Sequence, residues 1–102
     1  MMLMNRKKLI YCILKNLQDG QVPKKSDYDL DLEQWVEIAE LIGEEGYAKN
    51  VLASRAGIGN KAVFAMYTSA KLTIKGIDFL EQNSAWTKTY KGLKEVRDWV
   101  KL

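Results

Sequence analysis

The sequence predicts one small α+β domain, and two observations lead to that prediction. Two strand-like runs, Tyr47–Ser54 and Lys61–Thr68, flank a turn that is punctuated by glycines at residues 56–60. Apolar residues recur at helical spacing both before and after this hairpin. A hairpin with a helix on either side is typical of a winged-helix-like fold. We expect the order helix, loop, helix, two-stranded wing, helix and C-terminal amphipathic helix.

Length and composition limit the size and chemistry of this domain. The chain has 102 residues, 47% apolar and 28% charged, which suits one domain over residues 1–102, with residues 1–4 expected to fray. There is no histidine, and Cys12 is the one cysteine, so histidine-based catalysis, a Cys/His zinc site and an internal disulfide are excluded. No base can be assigned to Cys12, which is interpreted as a half-buried, unreactive thiol.

The same composition predicts a non-enzymatic, cytoplasmic protein. Without histidine, a candidate nucleophile or a glycine-rich phosphate loop, nothing assembles into a catalytic site, and we expect no cofactor, no metal and no small-molecule substrate. The apolar run at residues 9–14 is too short to span a bilayer, so we expect no membrane partner.

The first half of the chain predicts two helices joined by a loop. Helix one is expected over Arg6–Gln18, before an Asp-Gly pair that ends it. Residues 21–30 contain the only proline among polar residues and are predicted to be a loop with one short helical turn. Asp31 and Gln34 have the spacing of a capping box, so helix two begins there and ends at residues 45–46. Its expected core face is Leu32, Trp35, Val36, Ile38, Ala39 and Ile42.

The opposite face of helix two is acidic. Glutamates recur there at spacings of four, three and four and form one ridge, the glutamate ridge, which consists of Glu33, Glu37, Glu40 and Glu44. The ridge is a solvated helix face, a docking surface for a basic partner, or a mimic of nucleic-acid charge. We predict that helix two does not read DNA, because a helix in the major groove needs cations for phosphates and donors for base edges.

The hairpin prediction leaves open which face is buried. The two glycines of the turn, Gly57 and Gly59, are expected to supply its positive φ angles. Strand alternation allows one of two sets to face the core, and the set with Phe64 is favoured. The alternatives are Phe64 with Met66, or Val63 with Tyr67.

The hairpin is also basic. Its cations are Lys49, Arg55 and Lys61. They are interpreted either as phosphate contacts or as exposed edge residues that discourage aggregation of the sheet.

The last quarter of the chain predicts two more helices. Thr73 can cap helix three, in which Gly76 permits close packing and Ile77, Phe79 and Leu80 point inward. Residues 84–102 are predicted to form an amphipathic helix. Such a helix is typically a lid on the core or a dimer seam. Trp99 lies off its apolar stripe, which leaves open a dimer seam or a stacking platform for nucleic acid, because large exposed aromatic residues are enriched at interfaces.

The charge is distributed unevenly along the chain. Residues 1–18 carry four basic and no acidic side chains, residues 19–45 two and nine, and residues 46–102 ten and four. The net charges of these regions are +4, −7 and +6, with a total of +3. Basic flanks around an acidic middle suit different partners, or contact between the regions in an oligomer.

Two functions of different classes follow from these patterns. The first is a regulatory nucleic-acid-binding domain. Its contact residues would be Lys49, Arg55, Lys61, Lys7 and Lys8. The second is a protein-interaction module. Its contact residues would be Glu33, Glu37, Glu40, Glu44 and Trp99.

Five motifs, taken in order along the chain, resemble the YjcQ-like family. They are Asn5–Tyr11, Glu44–Tyr47, Leu72–Gly76, Asn83–Lys88 and Arg97–Trp99. That family consists of small winged-helix-like proteins from Gram-positive bacteria and their phages. The resemblance therefore implies a winged-helix-like fold and an association with a phage or prophage. It implies no established activity and assigns no functional residues.

Overall fold

The computed structural model describes residues 6–88 and residue 90. The elements are α1 (Arg6–Gln18), a 3-10 turn (Lys25–Asp27), α2 (Leu32–Glu44), β1 (Ala48–Lys49), β2 (Leu52–Ala56), β3 (Lys61–Met66), β4 (Lys71–Leu72), α3 (Ile74–Gln82) and a second 3-10 turn (Ser84–Trp86). The architecture is α+β and winged-helix-like, as predicted. The frayed start predicted at residues 1–4 lies outside the described residues. Of the C-terminal helix predicted over residues 84–102, residues 84–86 form the second 3-10 turn, and residues 89 and 91–102 lie outside the described residues.

The first two helices and the loop between them follow the sequence prediction. Helix α2 starts with a reciprocal capping box: Asp31 Oδ1 accepts a hydrogen bond from the Gln34 amide at 2.8 Å, and Gln34 Oε1 accepts one from the Asp31 amide at 3.1 Å. The two bonds satisfy amides that the first turn of a helix cannot pair by itself. Leu32, predicted to lie in the core, is instead 38% exposed, because it is the first residue of α2 and sits at the rim.

The strands form one long, interrupted hairpin. Strand β1 pairs with β4, and β2 pairs with β3, both antiparallel. Gly57 and Gly59 have φ angles of 78° and 84°, which confirms their predicted role in the turn. Ser54 faces Phe64, but the next residue, Arg55, faces Ala62, so β3 carries an extra residue at Val63. This bulge locally resets which face of β3 each side chain occupies.

The prediction that Phe64 and Met66 face the core is wrong. Their side chains are 40% and 44% exposed, whereas Tyr67 is buried and Ala65 packs against the core. The reason is Trp35 of α2: its indole Nε1 donates to the Ala65 carbonyl at 3.1 Å, and its ring lies 5.1 Å from the ring of Tyr67. Strand alternation alone does not indicate which face of the hairpin is buried. The contact with Trp35 determines it.

The core is formed where α1, α2, the base of the hairpin and α3 meet. Cys12 is fully buried there, deeper than the half-buried position predicted for it. An aromatic row crosses the core, with Tyr28 stacked on Trp35 at 6.1 Å and Trp35 tilted against Tyr67. The other buried residues of this cluster are Leu9, Ile10, Tyr11, Ile13, Leu14, Ile38, Ala39, Ile42, Ala48, Leu80 and Tyr90.

Two polar contacts attach α1 to the end of the described chain. Asn16, a buried polar residue, donates through its amide to the Tyr28 hydroxyl, and its Oδ1 lies 3.1 Å from the Tyr90 hydroxyl. Near the middle of α1, the Tyr11 hydroxyl lies 2.9 Å from Thr87 Oγ1. A buried amide that is bonded on both sides carries little desolvation penalty and fixes the position of the groups around it.

Helix α3 starts in close contact with the hairpin. Thr73 caps it, because its Oγ1 accepts from the Gly76 amide at 3.1 Å and donates to the Gly46 carbonyl at 2.5 Å. A Cβ atom at Gly76 would lie 2.0 Å from the Tyr47 carbonyl oxygen. The predicted close packing at Gly76 is thus confirmed.

Candidate nucleic-acid interface

Arg55, on β2, forms a forked ion pair with helix α2. Its Nε lies 3.1 and 3.0 Å from the two carboxylate oxygens of Glu40, and its Nη1 lies 2.5 Å from Oε1 of Glu33. Nη1 also donates to the Asn60 carbonyl at 3.1 Å. The hydrogen bond from Arg55 holds the pKa of Glu33 below its ordinary value. The guanidinium is therefore already engaged by two carboxylates of its own chain.

The glutamate ridge is largely paired with cations of the same protein. Besides the two glutamates held by Arg55, Glu37 forms an ion pair with Arg6 of α1 at 2.5 Å. Glu44 lies exposed at the last position of α2. The spacing that places the glutamates on one face also directs them toward the hairpin and α1, so most of the ridge binds internal partners.

The ion pairs between Arg55 and the glutamate ridge were not predicted from the sequence. A usable signal was present: Arg55 is the only arginine among the hairpin cations, and the planar guanidinium suits bidentate contact with carboxylates. Two glutamates seven residues apart on one helix face provide matching acceptors.

The predicted hairpin cations do not form one cluster. Lys61 is exposed beside the turn, where it pairs with Ala56, and Lys49 is exposed at the base of the hairpin in β1. Arg55 lies between them and points to α2. On α1, Lys7 is exposed and Lys8 is partly buried in the first turn. Trp99 lies outside the described residues.

The base of the hairpin carries a pair of lysines that the sequence prediction missed. Lys49 and Lys71 are directly opposite each other in the β1–β4 ladder, so their side chains leave the same face of the sheet. Both are exposed, and within residues 6–88 neither forms an ion pair. We name these two residues the lysine pair. The prediction missed it because β3 was expected to end the hairpin at Thr68.

A third cation follows the lysine pair at the start of α3. The Nζ of Lys75 lies 5.5 Å from the centre of the Tyr47 ring, within range of a cation–π contact. Tyr47 directly precedes β1, and Lys75 follows β4 by three residues. The base of the hairpin thus combines three lysines with one aromatic ring.

The described residues contain neither a metal-binding cluster nor a membrane-spanning helix. Among residues 6–88 and residue 90, no group of three or more histidine, cysteine, aspartate or glutamate side chains is arranged to hold a metal ion. No helix in that part of the chain is long and apolar enough to cross a membrane.

Comparison with known proteins places the chain in a family. The family described as YjcQ protein matches residues 7–99. The chain belongs to the YjcQ family. It is 32% identical over 99 residues to the uncharacterized protein YjcQ of Bacillus subtilis (strain 168), an alignment that covers 96% of this chain and all of that protein. No solved structure matches the chain. The family membership expected from the five motifs is confirmed.

Proposed function

We propose that this YjcQ-family protein is a small, non-enzymatic, cytoplasmic module that binds nucleic acid through the base of its hairpin. The lysine pair is the observation that carries the proposal. Like charges directly opposite each other in a sheet destabilise it, and here no carboxylate among the described residues offsets them. Two neighbouring phosphates of a nucleic-acid backbone would neutralise both lysines.

The chemistry of the contact residues predicts binding without sequence specificity. A lysine ammonium is a compact point charge on a flexible stem, which suits phosphate oxygens better than the edges of bases. Lys75 extends the cationic surface along the start of α3. We expect such a surface to position a nucleic-acid backbone, with any regulatory specificity supplied elsewhere. Association with a phage or prophage, as implied by the family, is part of the same proposal.

The remaining predicted cations differ in whether they belong to the proposed nucleic-acid surface. Lys61 at the turn and Lys7 and Lys8 on α1 are flanking contacts that add long-range attraction. Arg55 is left out, because its guanidinium is held by two glutamates. The glutamate ridge disfavours an approach from the side of α2, since an acidic face repels phosphate.

A titration of fluorescent DNA tests the proposal. Duplex and single-stranded DNA would be titrated at about 50 mM and about 200 mM salt with the wild type and with the double variant K49A/K71A. We expect affinity to fall as salt rises. For duplex DNA, the slope of log affinity against log salt should become less steep by about 0.9 for each phosphate contact that the variant loses.

The double variant K24A/K25A is the matched control. It removes the same charge from the loop before α2, a different segment of the chain from the strands that carry the lysine pair. Binding that is absent even at low salt would refute the proposal. An equal loss in both double variants would assign any binding to net charge alone and would also count against the lysine pair.

A further inference from the structure

An open groove separates the loop before α2 from the end of β3. Its volume is about 270 Å³. The lining residues are Val22, Pro23, Lys24, Lys25, Trp35, Ala65, Met66, Tyr67 and Thr68. The walls are mainly apolar, two lysines supply the charge, and no acidic residue takes part. Pockets that hold a drug-sized ligand enclose about 300–1,000 Å³, so this groove suits one or two side chains of a larger partner.

The charge of the groove indicates what kind of partner would fit. Lys24 and Lys25 are exposed, and neither forms an ion pair within residues 6–88. The partner that fits best therefore places an apolar side chain between the walls and carboxylates next to these two lysines. Aspartate or glutamate beside an aliphatic or aromatic residue supplies that combination.

The groove continues into an exposed apolar face of the hairpin. Met66 lines the groove and is also the cross-strand partner of Leu52, with Phe64 two residues away on the same face. All three side chains rank among the large exposed hydrophobic residues of the described chain. Contiguous exposed apolar surface next to a groove is a common feature of protein interaction sites.

A buried hydroxyl of a lining residue adds an independent observation. Tyr67 is 1% exposed, and within the described residues its hydroxyl is the one buried side-chain polar atom without a hydrogen-bond partner. An unsatisfied buried donor costs free energy. Because this hydroxyl is buried, a guest oxygen would reach it only after the wall of the groove moves.

We propose that this groove binds a segment of a protein partner in which an apolar side chain is flanked by acidic residues. The site is separate from the lysine pair, so the proposal goes beyond nucleic-acid binding. A nucleic-acid strand fits the groove less well, because bases bind by stacking on open aromatic faces and Trp35 is only 4% exposed.

Short peptides of defined composition test the site. The probe is the fluorescein-labelled peptide Asp-Asp-Leu-Phe-Asp-Asp, compared with Lys-Lys-Leu-Phe-Lys-Lys and Asp-Asp-Gly-Ser-Asp-Asp. Binding would be followed by fluorescence anisotropy and by NMR shifts of the nitrogen-15-labelled full chain. We expect the first peptide to bind more tightly than both others and to shift the amides of Val22, Ala65, Met66 and Thr68.

Variants separate the groove from general attraction between charges. K24E/K25E should weaken binding of the first peptide about tenfold, whereas the charge-matched K49E/K71E should leave it within about twofold. Met66→Ser, at an exposed position, should weaken binding without unfolding the protein, and circular dichroism would verify the fold of each variant.

Several results would overturn the proposal. They are equal binding of the three peptides, equal effects of the two charge reversals, and shifts at the groove produced by labelled single-stranded DNA but not by the first peptide. A parallel DNA titration keeps the two proposals distinguishable. DNA binding that is lost in K49E/K71E and kept in K24E/K25E supports the lysine pair whatever the peptides do.

Discussion

Replacing Gly76 with alanine would measure how closely α3 is docked against the hairpin. The new Cβ would lie 2.0 Å from the carbonyl oxygen of Tyr47 and 3.0 Å from its carbonyl carbon, with Leu72 Cδ2 at 3.3 Å. The carbonyl cannot easily swing away, because it already accepts a hydrogen bond from the Thr73 amide at 3.1 Å. Relief therefore requires α3 to move away from the hairpin.

The expected loss of stability combines two opposing effects. Overpacking a close contact costs about 1–3 kcal/mol, and a contact with backbone belongs at the upper end of that range. Alanine in place of glycine in a helix returns up to about 1 kcal/mol. The net loss is about 2 kcal/mol, which lowers the melting temperature by roughly 8–16 °C in a domain of this size.

Gly43→Ala is the matched control in α2. Nothing lies within 4 Å of the Cβ that this substitution adds. Helix propensity alone should then raise stability by about 0.5 kcal/mol or slightly more. Thermal and urea unfolding, followed by circular dichroism, would measure both variants. A Gly76→Ala protein as stable as the wild type, or equal shifts in the two variants, would refute the close docking of α3.

Three further predictions concern buried and paired groups. Burial raises the pKa of the Cys12 thiol from 9.0 to about 12, so its contribution to stability is complete below pH 9 and declines as the pH rises toward 12. Urea unfolding at increasing pH should show this decline, and Cys12→Ala should flatten it; an unchanged alkaline slope would contradict the argument. Arg55 lowers the pKa of Glu33, so the stability from this pair is present above the ordinary pKa of 4.5 and disappears as the pH falls through the folded-state value. Acid unfolding of Arg55→Gln should therefore begin at higher pH than in the wild type. If both proteins unfolded at the same pH, the ion pair between Arg55 and Glu33 would not stabilise the fold. Tyr67→Phe should stabilise the protein by about 1 kcal/mol in urea unfolding, because it removes a buried hydroxyl without a partner in the described chain; a loss of stability would mean that the hydroxyl is bonded.

The helices could be predicted because their signals are local. The bounds of α1 follow from apolar periodicity and an Asp-Gly stop, and those of α2 follow from the capping box at Asp31 and Gln34. The N-cap at Thr73 likewise depends on residues within one turn. Such signals act over three or four residues, a distance that a single sequence reports directly.

The hairpin face and the site residues depend on contacts between distant residues. Alternation allows either the face with Phe64 or the face with Tyr67 to be buried, and the choice between them depends on Trp35, about thirty residues earlier. The partner of Lys71 is likewise set by a strand register that resumes after an irregular segment. The distribution of charge along the sequence shows that the hairpin is basic. It does not show which hairpin cation forms ion pairs with the glutamate ridge.

The contacts of Tyr11 with Thr87 and of Asn16 with Tyr90 connect the beginning of the described segment to its end. They join residues separated by 76 and 74 positions, so α1 holds both ends of the described segment together. The turn of the hairpin lies between these residues along the chain, and Ile58 at its tip is 99% exposed. A protease cut at Ile58 would therefore break one peptide bond and leave two fragments associated through α1 and the core. The same tip is where a foreign peptide could be inserted, or new termini opened, without altering the lysine pair or the lining of the groove.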